Sequence, residues 1–219
     1  MKRIITCLSM LCMLVGLAMA SPGPKALAAS AETTLYGGIS TGMKPVGIYS
    51  TTTATPPTLT PLASISSVTP SAGVYIDGYY YVLSAYIRGS KVLLTTLEKY
   101  DTNTWQIVES LSSGTDVPTS LVYNPKDGKT YGCYPANSSL FRLCTLDLTS
   151  GVKTNGGVLD QRYVALFTDN SGKVYGIGLD GNLCQLNLET AEATVIGATG
   201  VTPSIDVQDA CFDESTNTV

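Results

Sequence analysis

The sequence contains no histidine. That removes the side chain that titrates nearest neutral pH, and with it Ser-His-Asp and Cys-His catalysis and most zinc sites. Charge is sparse as well: Lys and Arg number 13 against 17 Asp and Glu, for a net charge of −4. No basic stripe is available to follow a phosphate backbone, and no basic amphipathic face suits an anionic bilayer. Nucleic acid is therefore not an expected partner, nor is a membrane beyond the N-terminal segment. After that segment there is no long apolar run and no sustained 3.6-residue periodicity, which argues against helices.

The N-terminus is the exception. Lys2 and Arg3 precede an almost unbroken apolar run over residues 4–20, and Ala18-Met19-Ala20 supplies a small-x-small cleavage pattern. This reads as a signal peptide over 1–20, followed by a linker over 21–33. The competing reading is a retained anchor, but a run of 17 residues followed by Pro22, Gly23 and Pro24 is at the short limit for crossing. Export to the periplasm, cell surface or medium is expected. Removing 1–20 deletes two cations and no carboxylate, so the net charge moves from −4 to −6.

The rest of the chain is periodic. Residues 123–132 align without gaps on 167–176 at an offset of 44, and Phe212 onward repeats the pattern 45 residues later. Tyr36, Tyr81, Tyr131 and Tyr175 recur once per unit, which divides 34–219 into repeats over about 36–80, 81–130, 131–174 and 175–219. Within a unit, short β-prone runs are separated by turn clusters such as Asp169-Asn170-Ser171-Gly172 and the hairpin signal Asp180-Gly181. Cys184, Leu186 and Leu188 alternate with Gln185 and Asn187, and Cys144, Leu146 and Leu148 do so with Thr145 and Asp147. A period of two with one apolar face is what a sheet packed between sheets requires. Four strands in about 45 residues, repeated, predict an all-β β-propeller with four-stranded antiparallel blades. With four units and an end at Val219, the chain reads as part of a larger, truncated propeller, with a four-bladed ring as the alternative. The Thr/Pro stretch over 50–61 breaks the pattern, because prolines remove ladder donors; it is expected as a linker or an outer edge.

Tyr100-Asp101-Thr102-Asn103-Thr104-Trp105 resembles the close of a kelch repeat, where a Tyr-Asp-x-x-Thr-x-Trp-like run turns from the third strand into the fourth. Residues 146–151 and 186–191 echo it, while the paired glycines of kelch second strands are missing. The similarity is to secreted bacterial kelch-like propellers as a group, and it implies the same blade fold.

Four cysteines lie beyond the signal segment: Cys133, Cys144, Cys184 and Cys211. They fall on core positions of the repeat, with Cys144 and Cys184 at equivalent points of neighbouring units. Such points are too far apart to bridge, so free, buried thiols are expected. Asn137-Ser138-Ser139 has the form of a glycosylation acceptor but reads as a polar hairpin loop, and the Asp/Asn/Gly clusters lack the ligand spacing of a calcium loop.

One polar feature recurs. Asp116 and Asp160 each lie seven residues before an equivalent aromatic, and Asp206 lies six before Phe212. All three belong to connections from one blade's outer strand to the next blade's inner strand, the face on which propeller ligands bind. Asp116, Asp160 and Asp206, with Arg162 and Tyr163 as charge and stacking partners, are the candidate ligand-binding residues; Tyr79, Tyr86 and Tyr134 are further aromatic contacts near loop ends. No catalytic residue, metal ligand or cofactor is assigned. The expected function is a non-catalytic binding or scaffold propeller with a carbohydrate or protein ligand. A secreted hydrolase or lyase acting on glycans through Asp/Glu pairs is the alternative.

Overall fold

A computed structural model describes residues 4–6, 33–39, 45–53, 58–65, 68–203 and 209–211. Their secondary structure is entirely strands and turns, in four small sheets arranged as the blades of a β-propeller. The first sheet holds β1 (Ile4–Thr6), β2 (Thr34–Ile39), β3 (Gly47–Thr52) and β4 (Thr60–Ser64) in that order. In the second, β5 (Thr69–Ile76), β6 (Tyr79–Arg88), β7 (Lys91–Asp101) and β8 (Ile107–Ser112) follow one another. The third consists of β9 (Ser120–Asn124), β10 (Lys129–Pro135) and β11 (Phe141–Leu146), with an outer strand split into β12 (Lys153–Thr154) and β13 (Val158–Leu159). The fourth holds β14 (Tyr163–Thr168), β15 (Val174–Gly178), β16 (Asn182–Leu186) and β17 (Ala193–Ala198).

The once-per-repeat tyrosines all lie on second strands: Tyr36 on β2, Tyr81 on β6, Tyr131 on β10 and Tyr175 on β15. Because the sequence repeats begin there, each later sheet draws its innermost strand from the end of the preceding repeat. Two of these tyrosines also brace turns, since the Tyr131 hydroxyl donates to Asp127 at 2.6 Å and that of Tyr175 to Asp169 at 3.0 Å. Hairpin chemistry follows the backbone: Asp77 and Gly78 take φ of 47° and 87°, as a two-residue turn matching strand twist requires.

Neighbouring pairs are antiparallel except at β1, which runs parallel to β2 with Ile4 opposite Thr34 and Thr6 opposite Tyr36. This three-residue strand lies inside the segment read as a signal peptide, and it takes the place that β5, β9 and β14 hold in the other sheets. The Thr/Pro stretch supplies the end of β3 and the start of β4; Pro61 stands on the outer strand, opposite Tyr49 at a register shift, the kind of edge position where proline is tolerated.

The core lies between sheets. Val122, Cys133, Leu143, Tyr163, Leu166 and Cys184 join the third and fourth, while Val74, Leu83, Leu97, Tyr134, Cys144 and Leu146 join the second and third. Ile48, Ile65, Tyr80, Val82 and Tyr100 join the first and second. In three sheets a buried tyrosine leans over a glycine: Tyr80 over Gly73, Tyr134 over Gly132 and Tyr163 over Gly176, where a Cβ would meet the ring at 2.5–2.8 Å. The bare backbone makes room for the largest core side chains. Cys133, Cys144 and Cys184 are free and buried, as expected. Cys211 is not: it is disulfide-bonded and only partly buried, because it stands beyond the fourth sheet and not in a packed core slot.

Candidate functional site

A cavity of about 390 Å³ opens on the face of the third sheet turned toward the second. It is assembled from three pieces of chain. β10 and β11 pair with Tyr134 opposite Arg142, and the alternation of β11 sets Arg142 and Cys144 on the same face. The hairpin between them supplies Pro135, Ala136, Asn137 and Leu140 as a rim. The connection between β8 and β9 brings in Asp116, and the broken outer strand contributes Lys153 and Asn155.

The break in that outer strand positions the polar groups. β12 ends at Thr154 and regular pairing resumes at Val158, so 155–157 interrupt the ladder, with the Leu143 N–H still donating to the Gly157 carbonyl at 3.0 Å. A side chain at Gly156 would collide with the Leu143 carbonyl, which leaves glycine as the residue that permits this close approach. The Gly156 carbonyl then accepts from Arg142 Nη1 at 3.0 Å, and Asn155 turns toward Cys144, whose Sγ lies 3.7 Å from its Oδ1. Lys153 Nζ forms an ion pair with Asp116 and sits 5.2 Å from the centre of the Tyr134 ring. The rim hairpin is held by Asn137, whose Oδ1 accepts from the backbone of Ser139 and Leu140 at 2.9 Å each. This is the turn role expected for the Asn137-Ser138-Ser139 run.

Tyr134 is 1% exposed, and its hydroxyl has no hydrogen-bond partner. Burial raises its pKa, with Cys144 and Asp116 adding to the effect, so it remains a protonated donor. A buried hydroxyl without a partner is costly, and those that persist in native folds call for an explanation. Tyr134 lines the cavity beside a carboxylate, two cations and two amides.

The expected ligand residues are distributed as follows. Asp116 lines this cavity. Asp160 occupies the equivalent connection one blade on, where it accepts from the Tyr163 hydroxyl at 3.0 Å. Tyr163 itself is fully buried over Gly176, which makes its ring a core element and not an open stacking surface. Arg162 lies with its guanidinium carbon 6.0 Å from the Phe141 ring centre, its Nε buried without a partner. Asp206 lies outside the described residues. Of the other tyrosines, Tyr86 is exposed and Tyr79 lies under Lys99 Nζ at 4.1 Å. Sequence reasoning reached Asp116 and Tyr134 but missed Arg142, Lys153 and Asn155. The signal that could have found the last two is Asn155-Gly156-Gly157, which interrupts an otherwise regular fourth strand.

A second polar cluster was also missed. Ser120 Oγ donates to Asp209 at 2.8 Å and accepts from the Leu166 backbone N–H at 2.9 Å. Asp209 also acts electrostatically on Tyr80, so groups from the second, third and fourth sheets meet at one carboxyl. Burial drives the Asp209 pKa well above the usual carboxylate range, against the hydrogen bonds from Ser120 and the Ala210 and Leu166 amides, which lower it.

No family model matches the chain, and no curated protein matches it. Among solved structures it is similar to a structural genomics protein of unknown function from Bacteroides thetaiotaomicron VPI-5482, at 16% identity and a TM-score of 0.51. The match covers 81% of this chain and 51% of that one, so this chain spans about half the length of that structure. At this identity the likeness is one of fold alone.

Proposed function

We propose that the chain is an exported, non-catalytic binding propeller of kelch-like type whose ligand is a carbohydrate held in the Asp116–Tyr134 cavity. The carrying observation is the polar cavity itself, in which Asp116, Arg142, Lys153, Asn137 and Asn155 gather beside the buried Tyr134. A volume of about 390 Å³ falls within the range of small-molecule sites. Its lining of amide, carboxylate and cation suits a ligand rich in hydroxyl groups. In this reading Asp160 and Arg162, from the next connection, contribute to ligand binding, while Asp206 lies outside the described residues. Among the cavity-lining residues Asp116 is the only carboxylate, and it is tied to Lys153, whereas glycoside hydrolysis through acids calls for a pair.

The test is to incubate the purified exported protein with a panel of polysaccharides, following both retention and release of reducing or unsaturated ends. Binding without product release, weakened by Asp116→Asn, is the expected result. Product formed in proportion to protein would replace this reading with the glycan hydrolase or lyase.

A further inference from the structure

Resting on that reading, we infer that the cavity selects an acidic saccharide, one carrying a single carboxylate, over a neutral sugar. The lining carries three charges, from Arg142, Lys153 and Asp116. Lys153 and Asp116 neutralise each other through their ion pair, which leaves the Arg142 charge in surplus. The whole chain has a net charge of −4, so a positive cavity is a local departure from its overall balance. Arg142 is also pre-oriented: one N–H is spent on the Gly156 carbonyl, a contact made possible by the glycine bulge, and further guanidinium donors are left for a ligand. A planar guanidinium held at one corner is suited to grip a carboxylate through paired hydrogen bonds.

The remaining groups fit the rest of such a ligand. Tyr134 lines the cavity, but its hydroxyl is sealed from solvent. Asn155 and Asn137 also line the cavity, Asn155 with an amide free to donate to a ring hydroxyl and Asn137 as part of the rim hairpin. Leu140, Pro135 and Ala136 offer an apolar wall for the C–H face of a sugar ring. A simple anion would satisfy Arg142 but leave the amides unused. A neutral sugar would use these and leave the surplus charge. A saccharide bearing one carboxylate satisfies both.

The experiment is calorimetric titration of the purified exported protein with glucuronate, glucose and acetate. The variants are Arg142→Gln and Tyr134→Phe, with Arg88→Gln at the tip of the β6–β7 hairpin, which does not line the cavity, as control. Glucuronate should bind about tenfold more tightly than glucose, the scale of one added charge-assisted contact. Arg142→Gln should abolish that preference while leaving glucose binding within about twofold, because glucose does not use the charge. Tyr134→Phe should leave both sugars within about twofold and should not lower the melting temperature, since the hydroxyl it removes is sealed from the cavity and has no partner in the fold. Equal binding of glucuronate and glucose would overturn the acidic preference and leave the carbohydrate reading standing. Acetate binding as tightly as glucuronate would reduce the site to an adventitious anion hole and overturn the inference. Failure of both sugars would overturn the inference together with the reading on which it rests.

Discussion

The seam between the third and fourth sheets and the seam between the first and second are built from different chemistry. Across the former, Thr119 Oγ1 donates to the Tyr163 carbonyl at 2.6 Å and Asn124 Nδ2 to that of Gly172 at 3.0 Å. Thr168 Oγ1 reaches the Tyr123 carbonyl at 3.1 Å, and Ser120 receives the Leu166 amide. These bonds fix the register of one blade against the next at four points. The first and second sheets meet through rings. Trp105, the only tryptophan, stands 5.0 Å from Tyr36 and 6.2 Å from Tyr80, centre to centre. Apolar and aromatic contact is less directional than a hydrogen bond, so this seam secures the blade by area and shape, with a looser hold on its exact position.

Aromatic truncation on each side measures the difference. Tyr163→Ala removes a fully buried ring from the polar seam, where it also holds Asp160, and should cost about 3–5 kcal/mol. Trp105→Ala removes a larger but partly exposed ring and should cost about 2 kcal/mol. Chemical denaturation of both variants checks the pair. A Trp105 variant losing as much as the Tyr163 variant would mean that the aromatic seam is the stronger, and the contrast would fail.

Much of this architecture is legible in the sequence, because a repeat announces itself through positions that cannot vary independently. The second-strand tyrosines, the alternation at Cys144–Leu146 and Cys184–Leu186, and the turn aspartates all follow from local pattern and fall where the sheets need them. What escaped the reading depends on departures from the repeat or on contacts across it. The cavity comes from a broken outer strand, and a pattern search treats such a break as noise. Sequence places Tyr163 at a strand start near a loop, but its ring folds inward over Gly176. Ser120 and Asp209 are 89 residues apart, and no period links a hydroxyl to the carboxyl it meets. Cys211 aligned with core slots, but its partly buried position lies outside the packed series.

The polar seam also carries a pH signature. Ser120 belongs to it, and through Ser120 the seam touches Asp209, whose carboxyl burial favours the protonated form. The native state therefore holds this proton more tightly than the unfolded chain. The associated stability is fully present below the ordinary carboxylate pKa and is lost as pH rises toward the raised native value. Melting temperature should accordingly fall over that interval, and Asp209→Asn should flatten the fall. An unchanged slope in the variant would detach Asp209 from the seam's energetics.

The smallest effect should come from the exposed turns, and it has the opposite sign. Asp147 closes the β11–β12 turn: its Oδ1 accepts from the Thr149 amide at 2.8 Å and from the Thr149 hydroxyl at 2.7 Å. These bonds, the hydroxyl's foremost, favour the ionised carboxyl and lower its pKa to about 2. The unfolded chain here binds the proton more tightly than the native state, so the contribution is present above the ordinary carboxylate pKa. It is lost as pH falls through the native value near 2. Asp147→Asn keeps an acceptor in place but removes the charge, so its penalty should be small at neutral pH and should shrink further in acid. Melting curves of the variant and the parent should thus converge as pH falls from 5 to 2, while the Asp209→Asn pair diverges as pH rises. A penalty for Asp147→Asn that is constant across the acid range would show that the turn is held by backbone geometry alone. The two pH slopes would then cease to separate the exposed loops from the seam.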